Sequence, residues 1–383
     1  MAFNIRNKGY RSNCILISPF FEINNDIQKE ITLIDFPLPS RAEVKSTIVG
    51  FINSWKENAN VTIDVDDSLL EKFVDASIGL TNLEIENCLA KALVSDLRLD
   101  ESDLKDLLNE KKQIIRKTGI LEYIDTNLNL KDVGGLQNLK KWLELRSYCF
   151  EEKAKAFGIL PPKGLLLTGV PGCGKSLTAK CVASAWNMPL LRLDMGKIFQ
   201  GIVGSSESNI RLALKTAEAI SPCILWIDEI EKGLAGSGGG SGDGGTSTRV
   251  FGTLLTWMQE KTSPVFVFST ANNINGLPPE LLRKGRFDEI FFVDFPSIEE
   301  RKKILEIHIS KLKRDMTKFD LNVLAKLSGE EKFGKDVVLA GAELEAWVAD
   351  ALIEAFSRKI GGNNEADIEM KDFESTINRI VPM

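Results

Sequence analysis

Four residues near the middle of the chain, Gly169, Gly174, Lys175 and Ser176, have the spacing G-x-x-x-x-G-K-S. Glycines let successive backbone N–H groups turn inward around phosphate oxygens without a Cβ clash, and the lysine and hydroxyl suit terminal phosphates and Mg²⁺. The pattern is specific only where a strand precedes it and a helix follows it. The apolar run at 164–168 and the helix-forming residues after Lys175 provide both. We therefore expect a phosphate-binding loop, and the alternative is a tight turn with an exposed lysine.

Two acidic residues, Asp228 and Glu229, directly follow the apolar run 223–227. A carboxylate at the end of a strand parallel to the phosphate-loop strand lies beside a bound triphosphate, where Asp228 and Ser176 could hold Mg²⁺. Glu229 would polarise an attacking water, because in-line phosphoryl transfer depends on a positioned nucleophile. Asn272, just past the next apolar run, could orient that water. The alternative interpretation is an ordinary acidic strand end.

The segments that must position these residues alternate between apolar runs and helical patterns. This alternation predicts an α/β fold with a parallel sheet covered on both faces, followed by an all-α subdomain from Ser297 onward. The tract 233–245 is rich in glycine and serine and is predicted to be a mobile loop. The predicted strands are 164–168, 190–193, 223–227, 265–269 and 290–294, and the predicted helices are 101–117, 137–157, 206–219, 246–258 and 372–380.

Composition narrows the class of protein. The 383 residues carry a formal net charge of −6 and no long lysine or arginine block, which disfavours broad nucleic-acid binding. No stretch approaches 18 apolar residues, so we expect a soluble protein in a cytosol-like compartment. Six cysteines without a C-x-x-C pair, beside the single His308, indicate reduced thiols and neither a zinc site nor a disulfide framework. Cys173, inside the phosphate loop, is either a thiolate favoured by positive potential or a small residue that fits.

A weak internal repeat relates the first hundred residues to the C-terminal part. The matching stretches share one offset and are 35–37 with 294–296 and 80–94 with 339–353. The apolar runs 14–18 and 31–36 would be late strands of the first copy, which has no phosphate loop upstream. We expect residues 1–100 to be a truncated remnant that does not bind nucleotide in the same manner. It should pack on the second domain or on a neighbouring subunit, or the chain is a shortened form.

Five motifs, in order and at the family's spacing, resemble the AAA ATPases. They are DVGGL at 132–136, GVPGCGKS at 169–176, VGSSESNIR at 203–211, ILWIDEIE at 224–231 and LPPELLRKGRFDEI at 277–290. The resemblance covers about residues 120–383. It implies a P-loop NTPase domain with a C-terminal helical lid, the use of ATP and Mg²⁺, and a working ring of identical subunits, usually a hexamer. A closer likeness is to the AAA proteins encoded by cyanobacteria and plastid genomes, whose role is poorly defined.

The resemblance also assigns residues to the nucleotide site. Arg283 and Arg286 match the arginine fingers, which reach the γ-phosphate held by the adjacent subunit. The residues implied to contact the nucleotide are Val133, Gly134, Gly169, Val170, Pro171, Gly172, Cys173, Gly174, Lys175, Ser176, Leu177, Gly341 and Ala342. Two departures from the family's pattern stand out. The first pore loop reads Ile202-Val203-Gly204 and lacks the aromatic residue with which most polypeptide-threading relatives grip their substrate, so threading is in doubt. Residues 259–261 read Gln-Glu-Lys, where relatives commonly carry an acidic residue and a glycine used in signalling between subunits.

The internal repeat, the helix-forming stretch 101–117 with its apolar residues on one side, and the resemblance together predict four parts and leave the function partly open. The predicted parts are a remnant at 1–100, a linking helix at 101–119, a nucleotide-binding domain at 120–296 and a helical lid at 297–383. The first functional interpretation is an ATP-hydrolysing, chaperone-like protein that remodels or regulates a protein partner. The second is a nucleotide-dependent scaffold or switch with little turnover, and a nucleic-acid motor is disfavoured by charge. The expected location is the cytoplasm, or the plastid stroma for a plastid-encoded chain.

Overall fold

The computed structural model describes residues 38–56, 58, 60–117, 119–199, 205–233, 244–360 and 367–382, together with the single positions 15, 32 and 34. Apart from these single positions, the strands predicted at 14–18 and 31–36 lie outside the described residues. The loop at 202–204 and residues 234–243 of the glycine-rich tract lie outside them as well. Among the described helices, none is both long and apolar enough to cross a membrane.

A six-stranded sheet forms the centre of the part of the chain between Leu121 and Val293. Its strands are β3 (Leu121–Ile124), β4 (Gly164–Gly169), β5 (Leu190–Leu193), β6 (Cys223–Ile227), β7 (Val265–Ala271) and β8 (Glu289–Val293). They lie in the order β3-β5-β6-β7-β4-β8, and every pair is parallel except β3 with β5. The predicted α/β fold with a mainly parallel sheet is confirmed. The prediction lacked the antiparallel edge strand β3, because its four residues, LEYI, are too short and too polar to indicate a buried strand.

The sheet is buried on both faces by helices. Along β4, Leu166 belongs to the core on one face, and Leu165 and Leu167 belong to the core on the other, as the two-residue period of a strand requires. The helices are α5 (Gln137–Ser147), α6 (Glu152–Ala156), α7 (Lys175–Ala185), α8 (Met195–Phe199), α9 (Ser205–Ile220) and α10 (Gly244–Glu260).

The single helix predicted over 137–157 is wrong. A 3₁₀ turn at Tyr148–Phe150 separates α5 from α6. The ring of Phe150 lies 5.4 Å from that of Trp186 and 6.5 Å from that of Phe266, centroid to centroid. Packing of this aromatic side chain against the sheet core therefore outweighs the local preference for a continuous helix.

The C-terminal lid is entirely helical in the part that the structure describes, as predicted. It consists of α11 (Ile298–Lys311), α12 (Leu321–Leu327), α13 (Glu330–Phe333), α14 (Gly341–Ile360) and α15 (Met370–Thr376). Trp347 and Phe373 meet edge to face in its core at a centroid distance of 5.3 Å. The helix predicted at 372–380 begins earlier and ends in a 3₁₀ turn at Ile377–Arg379.

The N-terminal part forms a second helical unit. Its elements are α1 (Arg41–Trp55), β1 (Thr62–Ile63), α2 (Asp67–Ser77), α3 (Asn82–Asp96), β2 (Arg98–Leu99) and α4 (Leu104–Lys117). The helix predicted as a linker is α4, and it is more than a linker, because Leu104, Leu107 and Leu108 pack into the same core as α1 to α3. Further along α4, Ile115 packs into the core of the sheet. This helix therefore connects the two cores.

Three helix caps in the N-terminal unit recur in the lid in the same order, whereas the Thr81–Glu84 capping box of α3 has a partial counterpart at α14, where the Ala340 N–H donates to Glu343. Capping boxes begin α1 (Ser40 with Glu43) and α11 (Ser297 with Glu300), and aspartate caps begin α2 (Asp66) and α12 (Asp320). A third pair of capping boxes, Asp100 with Asp103 and Glu369 with Asp372, precedes α4 and begins α15. Because caps fix where a helix starts, this shared order supports the proposal of a duplicated unit.

Candidate nucleotide site

The glycine loop connects β4 to α7 in backbone conformations that favour glycine. Gly169, Gly172 and Gly174 have φ values of 135°, 73° and 84°. A Cβ atom at Gly169 would lie 2.0 Å from the carbonyl oxygen of Val293, whereas a Cβ at Gly174 would meet no atom within 4 Å. Among the described residues no side chain caps α7, so the N–H groups of its first turn remain available to an anion.

Lys175 is held inside this loop. Its side chain is buried, and Nζ donates hydrogen bonds to the carbonyl oxygens of Gly169 at 2.8 Å and Val170 at 2.7 Å. Burial lowers the pKa of its ammonium group, an effect that the charges of nearby acidic groups oppose. Phosphate oxygens could take over the role of these two carbonyls, because they would supply stronger acceptors and the opposite charge.

A hydroxyl and a carboxylate meet at the end of β6. Ser176 Oγ donates to Asp228 Oδ1 at 3.0 Å, and Thr270 Oγ1 donates to the same oxygen at 2.6 Å. Mg²⁺ prefers hard oxygen ligands and usually takes one or two from the protein, with the remainder from phosphates and water. Ser176 and Asp228 therefore fit the metal role predicted for them.

Glu229 and Asn272 form a second contact beside the first. Asn272 Nδ2 donates to Glu229 Oε1 at 2.9 Å, and the Glu229 N–H donates to Thr270 Oγ1 at 3.0 Å. Lys232 also forms an ion pair with the Glu229 carboxylate. Glu229 has a φ of 50°, in the left-handed region that a residue with a Cβ rarely adopts. Such a backbone conformation is concentrated at functional sites, where surrounding contacts hold it.

A cavity of about 500 Å³ unites these groups and extends to the lid. Asp228, Glu229 and Asn272 line it, and so do all the predicted nucleotide contacts except Gly169 and Val170, which instead hold Lys175. This volume falls within the range of small-molecule and cofactor sites.

Two glycines lie where the lid packs closely against the rest of the site. The Ala342 N–H donates to the Gly172 carbonyl oxygen at 2.9 Å, and a Cβ at Gly341 would lie 3.1 Å from that oxygen. A Cβ at Gly134 would lie 2.4 Å from Ile304 Cγ1 of α11. Gly134 therefore needs glycine for this close approach, whereas a Cβ at Gly341 would require the Gly172 carbonyl to shift by a few tenths of an ångström.

Arg283 and Arg286 lie away from this cavity. Lys163 Nζ donates to the carbonyl oxygens of Gln259 at 2.6 Å and Gly285 at 3.1 Å, which ties the arginine loop to the start of β4. The phosphate loop follows the other end of this strand, about 17 Å away at the usual rise of an extended chain. The arginines thus do not converge with the rest of the site within one chain.

The structure adds residues that sequence reasoning missed. Thr270 links Asp228 to Glu229, and Glu231 accepts a hydrogen bond from the backbone of Asn272. His308 of the lid lines the cavity, and burial lowers its pKa. Thr270 could have been found from the sequence, because it is a polar residue at the end of an otherwise apolar strand. For His308 the sequence held no signal, because its place depends on how the lid packs.

Cys173 is half-buried in the loop, and burial raises the pKa of its thiol. The charge of Lys175 opposes this shift but is outweighed. The second interpretation, a small residue that fits, is therefore the one that the structure favours.

Because the thiolate is the reactive form, Cys173 should not be unusually reactive at neutral pH. We expect iodoacetamide at pH 7 to modify Cys173 no faster than the half-buried Cys149, as followed by peptide mass spectrometry over time. Modification of Cys173 well before Cys149 would show that the loop stabilises the thiolate after all.

Comparison with known proteins agrees with this arrangement. Residues 165–295 match the profile of the ATPase family associated with various cellular activities (AAA), and residues 42–118 match that of a SpoVK-like AAA ATPase, second domain. An uncharacterized AAA domain-containing protein ycf46 from Trieres chinensis is 44% identical over 346 residues, 90% of this chain and 67% of that protein. Its namesake from Guillardia theta is 39% identical over 384 residues, 100% of this chain and 71% of that protein.

A more distant relative is the putative ribosome biogenesis ATPase nvl of Dictyostelium discoideum. It is 31% identical over 300 residues, 76% of this chain and 33% of that protein. The AAA profile covers the sheet with its phosphate loop and acidic pair, and the ycf46 matches extend over the N-terminal helices as well. The chain therefore belongs to the AAA family of P-loop ATPases, which hydrolyse ATP with Mg²⁺.

Proposed function

We propose that this chain hydrolyses ATP at the contact between neighbouring copies and uses the cycle to remodel or regulate a protein partner. One observation carries the proposal. The phosphate-binding lysine, the two predicted metal ligands and the two residues proposed to act on water all line one cavity, while Arg283 and Arg286 lie at the far end of β4. A second copy of the chain is the simplest source of arginines for that cavity.

In this proposal the phosphate loop and Lys175 bind the β- and γ-phosphates. Ser176 and Asp228 would hold Mg²⁺, which neutralises phosphate charge when bound. Glu229 accepts a proton from water, and Asn272 keeps the Glu229 carboxylate and the water in position through its side-chain amide. Arg283 and Arg286 of the neighbouring copy stabilise the charge that develops on the transferred phosphoryl group.

The contacts of Glu229 favour a second candidate, a slow nucleotide-dependent switch. Asn272 donates to its Oε1 and Lys232 pairs with its Oε2, so the Lys232 ammonium competes with an attacking water for this carboxylate, and turnover is favoured by a rearrangement in which Lys232 moves away. A protein in which this rearrangement is rare would bind ATP and assemble with little turnover. Steady-state phosphate release by the assembled protein separates the two candidates.

The remaining parts of the proposal concern partners and place. The N-terminal unit lacks a phosphate loop among its described residues and resembles the lid in its caps, which supports a role in contacts and not in catalysis. Algal relatives support a plastid stroma location, with the cytoplasm as the alternative. The protein partner can be identified by affinity capture, with the ATP-bound assembly as the bait.

Arg286→Ala tests whether the arginine acts between copies. We expect turnover to fall by roughly 10³-fold, the lower end of the effect of an arginine finger, with ATP affinity unchanged. Lys175→Ala should also be inactive because it cannot hold ATP. A mixture of the two variants should regain activity, since some contacts then join an intact Lys175 of one copy to an intact Arg286 of the next.

The measurement is phosphate release from each variant alone and from mixtures at several ratios. Lys284→Ala, which removes an exposed positive charge from the same loop, is the matched control and should keep its turnover. Two inactive variants that stay inactive when mixed, although they assemble together, would contradict a site shared between copies.

A further inference from the structure

Glu231 is a third acidic residue near the catalytic pair, and the mechanism above gives it no role. It lies on a 3₁₀ turn, Ile230–Gly233, directly after Glu229. Its Oε1 accepts a hydrogen bond from the backbone N–H of Asn272 at 2.8 Å. Its Oε2 is buried and has no hydrogen-bond partner among the described residues.

An unpartnered carboxylate oxygen in a buried place costs free energy, so something must hold Glu231 there. The turn that carries it is anchored at both ends. Ile230 is fully buried, and a Cβ at Gly233 would lie 2.9 Å from Met195 Cε and 3.3 Å from the Phe251 ring. The position of the Glu231 side chain therefore follows from core packing on either side of it.

Asn272, Glu229 and Glu231 form a closed ring of contacts, called the circuit below. Its backbone N–H binds Glu231 Oε1, its side-chain amide binds Glu229 Oε1, and the chain joins Glu229 to Glu231 through a single residue. One contact fixes where Asn272 lies and the other fixes the direction of its side chain. Without the first contact, the second could form over a range of positions of the loop after β7.

We propose that Glu231 is a positioning residue, which holds the backbone of Asn272 so that its side-chain amide meets the Glu229 carboxylate at the geometry needed for turnover. The inference rests on the roles proposed above for Glu229 and Asn272. In this role Glu231 acts through its side-chain oxygen as a hydrogen-bond acceptor, and its negative charge is not required for turnover. A displacement of about 1 Å in a catalytic group can lower a rate by about 10²-fold, so a contact of this kind is large enough to measure.

Three substitutions separate the acceptor from the charge. Glu231→Gln keeps a side-chain oxygen at the same distance and removes the charge, and we expect turnover to stay near that of the parent protein. Glu231→Ala removes the acceptor and should lower kcat by roughly 10- to 100-fold. Glu231→Asp keeps the charge but withdraws the oxygens by one carbon, so it should be slower than the glutamine variant. The aspartate variant keeps the inference testable if the alanine variant does not fold.

The measurements are kcat and KM for ATP, affinity for ADP and the thermal unfolding midpoint. A positioning role predicts a loss in kcat with KM, ADP affinity and the midpoint retained, and Glu144→Ala at an exposed position of α5 is the control. In an Asn272→Ala background, Glu231→Ala should have little further effect on kcat, because both changes break the same circuit.

The inference is overturned if Glu231→Gln is as slow as Glu231→Ala, if the two single losses multiply in the double variant, or if Glu231→Ala turns over like the parent. A loss of kcat accompanied by an equal weakening of ADP binding would also overturn it in favour of a structural role. Hydrolysis that continues in Glu229→Gln would instead contradict the proposed function, and this outcome is measured separately.

Discussion

Glu229→Gln is expected to stop ATP turnover while leaving ATP bound. Glutamine has the same shape and can still accept the Asn272 amide through its side-chain oxygen, which is the contact seen at 2.9 Å in the structure. It cannot accept a proton from water, so the step that the carboxylate assists is lost. General-base assistance contributes about 10²- to 10⁴-fold, and we expect a loss of this order in kcat.

The test combines phosphate release with equilibrium binding of ATP. Because the variant holds ATP without consuming it, the ATP-bound assembly should persist, and size-exclusion chromatography in ATP should show more of it than with the parent protein. Glu144→Gln changes an exposed glutamate of the same domain, away from the site, and serves as the control. Turnover within a few-fold of the parent would assign proton acceptance to another group and would contradict the role of Glu229.

Much of what could be predicted from the sequence depended on the spacing of residues that are close together in the chain. The phosphate loop is a continuous segment, so its residues and the strand and helix around it could be identified from neighbours alone. The pairing of Ser176 with Asp228 involves residues 52 positions apart, yet it followed from a general rule, that carboxyl ends of parallel strands share one edge of a sheet. Such rules succeed where the fold class is well indicated.

The rest depended on packing that no short stretch encodes. The left-handed backbone of Glu229 and the role of Thr270 arise from contacts between β6 and β7, and the 3₁₀ turn at Tyr148–Phe150 arises from an aromatic cluster across the sheet. The predicted linker helix could not be placed from its amphipathic pattern. Its apolar residues pack into two different cores, and a pattern shows only that residues are buried, not against what.

That helix, α4, also carries a buried charge at the junction between these cores. Lys111 is 3% exposed, and its Nζ has only a long hydrogen bond, 3.5 Å, to the carbonyl oxygen of Asp75. Burial lowers its pKa from 10.5 to about 8, and the carboxylate of Asp75 opposes this shift only weakly. Burial also raises the pKa of the Cys223 thiol to about 12, so this thiol stays neutral near pH 8 and does not pair with the lysine.

Lys111→Met is therefore expected to stabilise the protein. Methionine fills a similar volume and removes the buried ammonium group, whose lowered pKa corresponds to a cost of about 3 kcal/mol at pH 7. The free energy of unfolding should rise by up to this amount, as measured by urea denaturation. Lys105→Met on the same helix changes an exposed lysine, so it should leave the unfolding midpoint nearly unchanged.

The pH dependence distinguishes removal of a charge from better packing. Between pH 8 and 10.5 the unfolded chain binds a proton at Lys111 that the folded chain does not, so the parent protein gains stability as the pH rises through this range. Below pH 8 the cost is complete and constant. Lys261 has a similarly lowered pKa, about 8, so only the difference between parent and variant isolates Lys111. This difference should be largest at pH 7 and shrink toward pH 10. A difference that is the same at both pH values would show that methionine acts through packing and that Lys111 is not a buried charge.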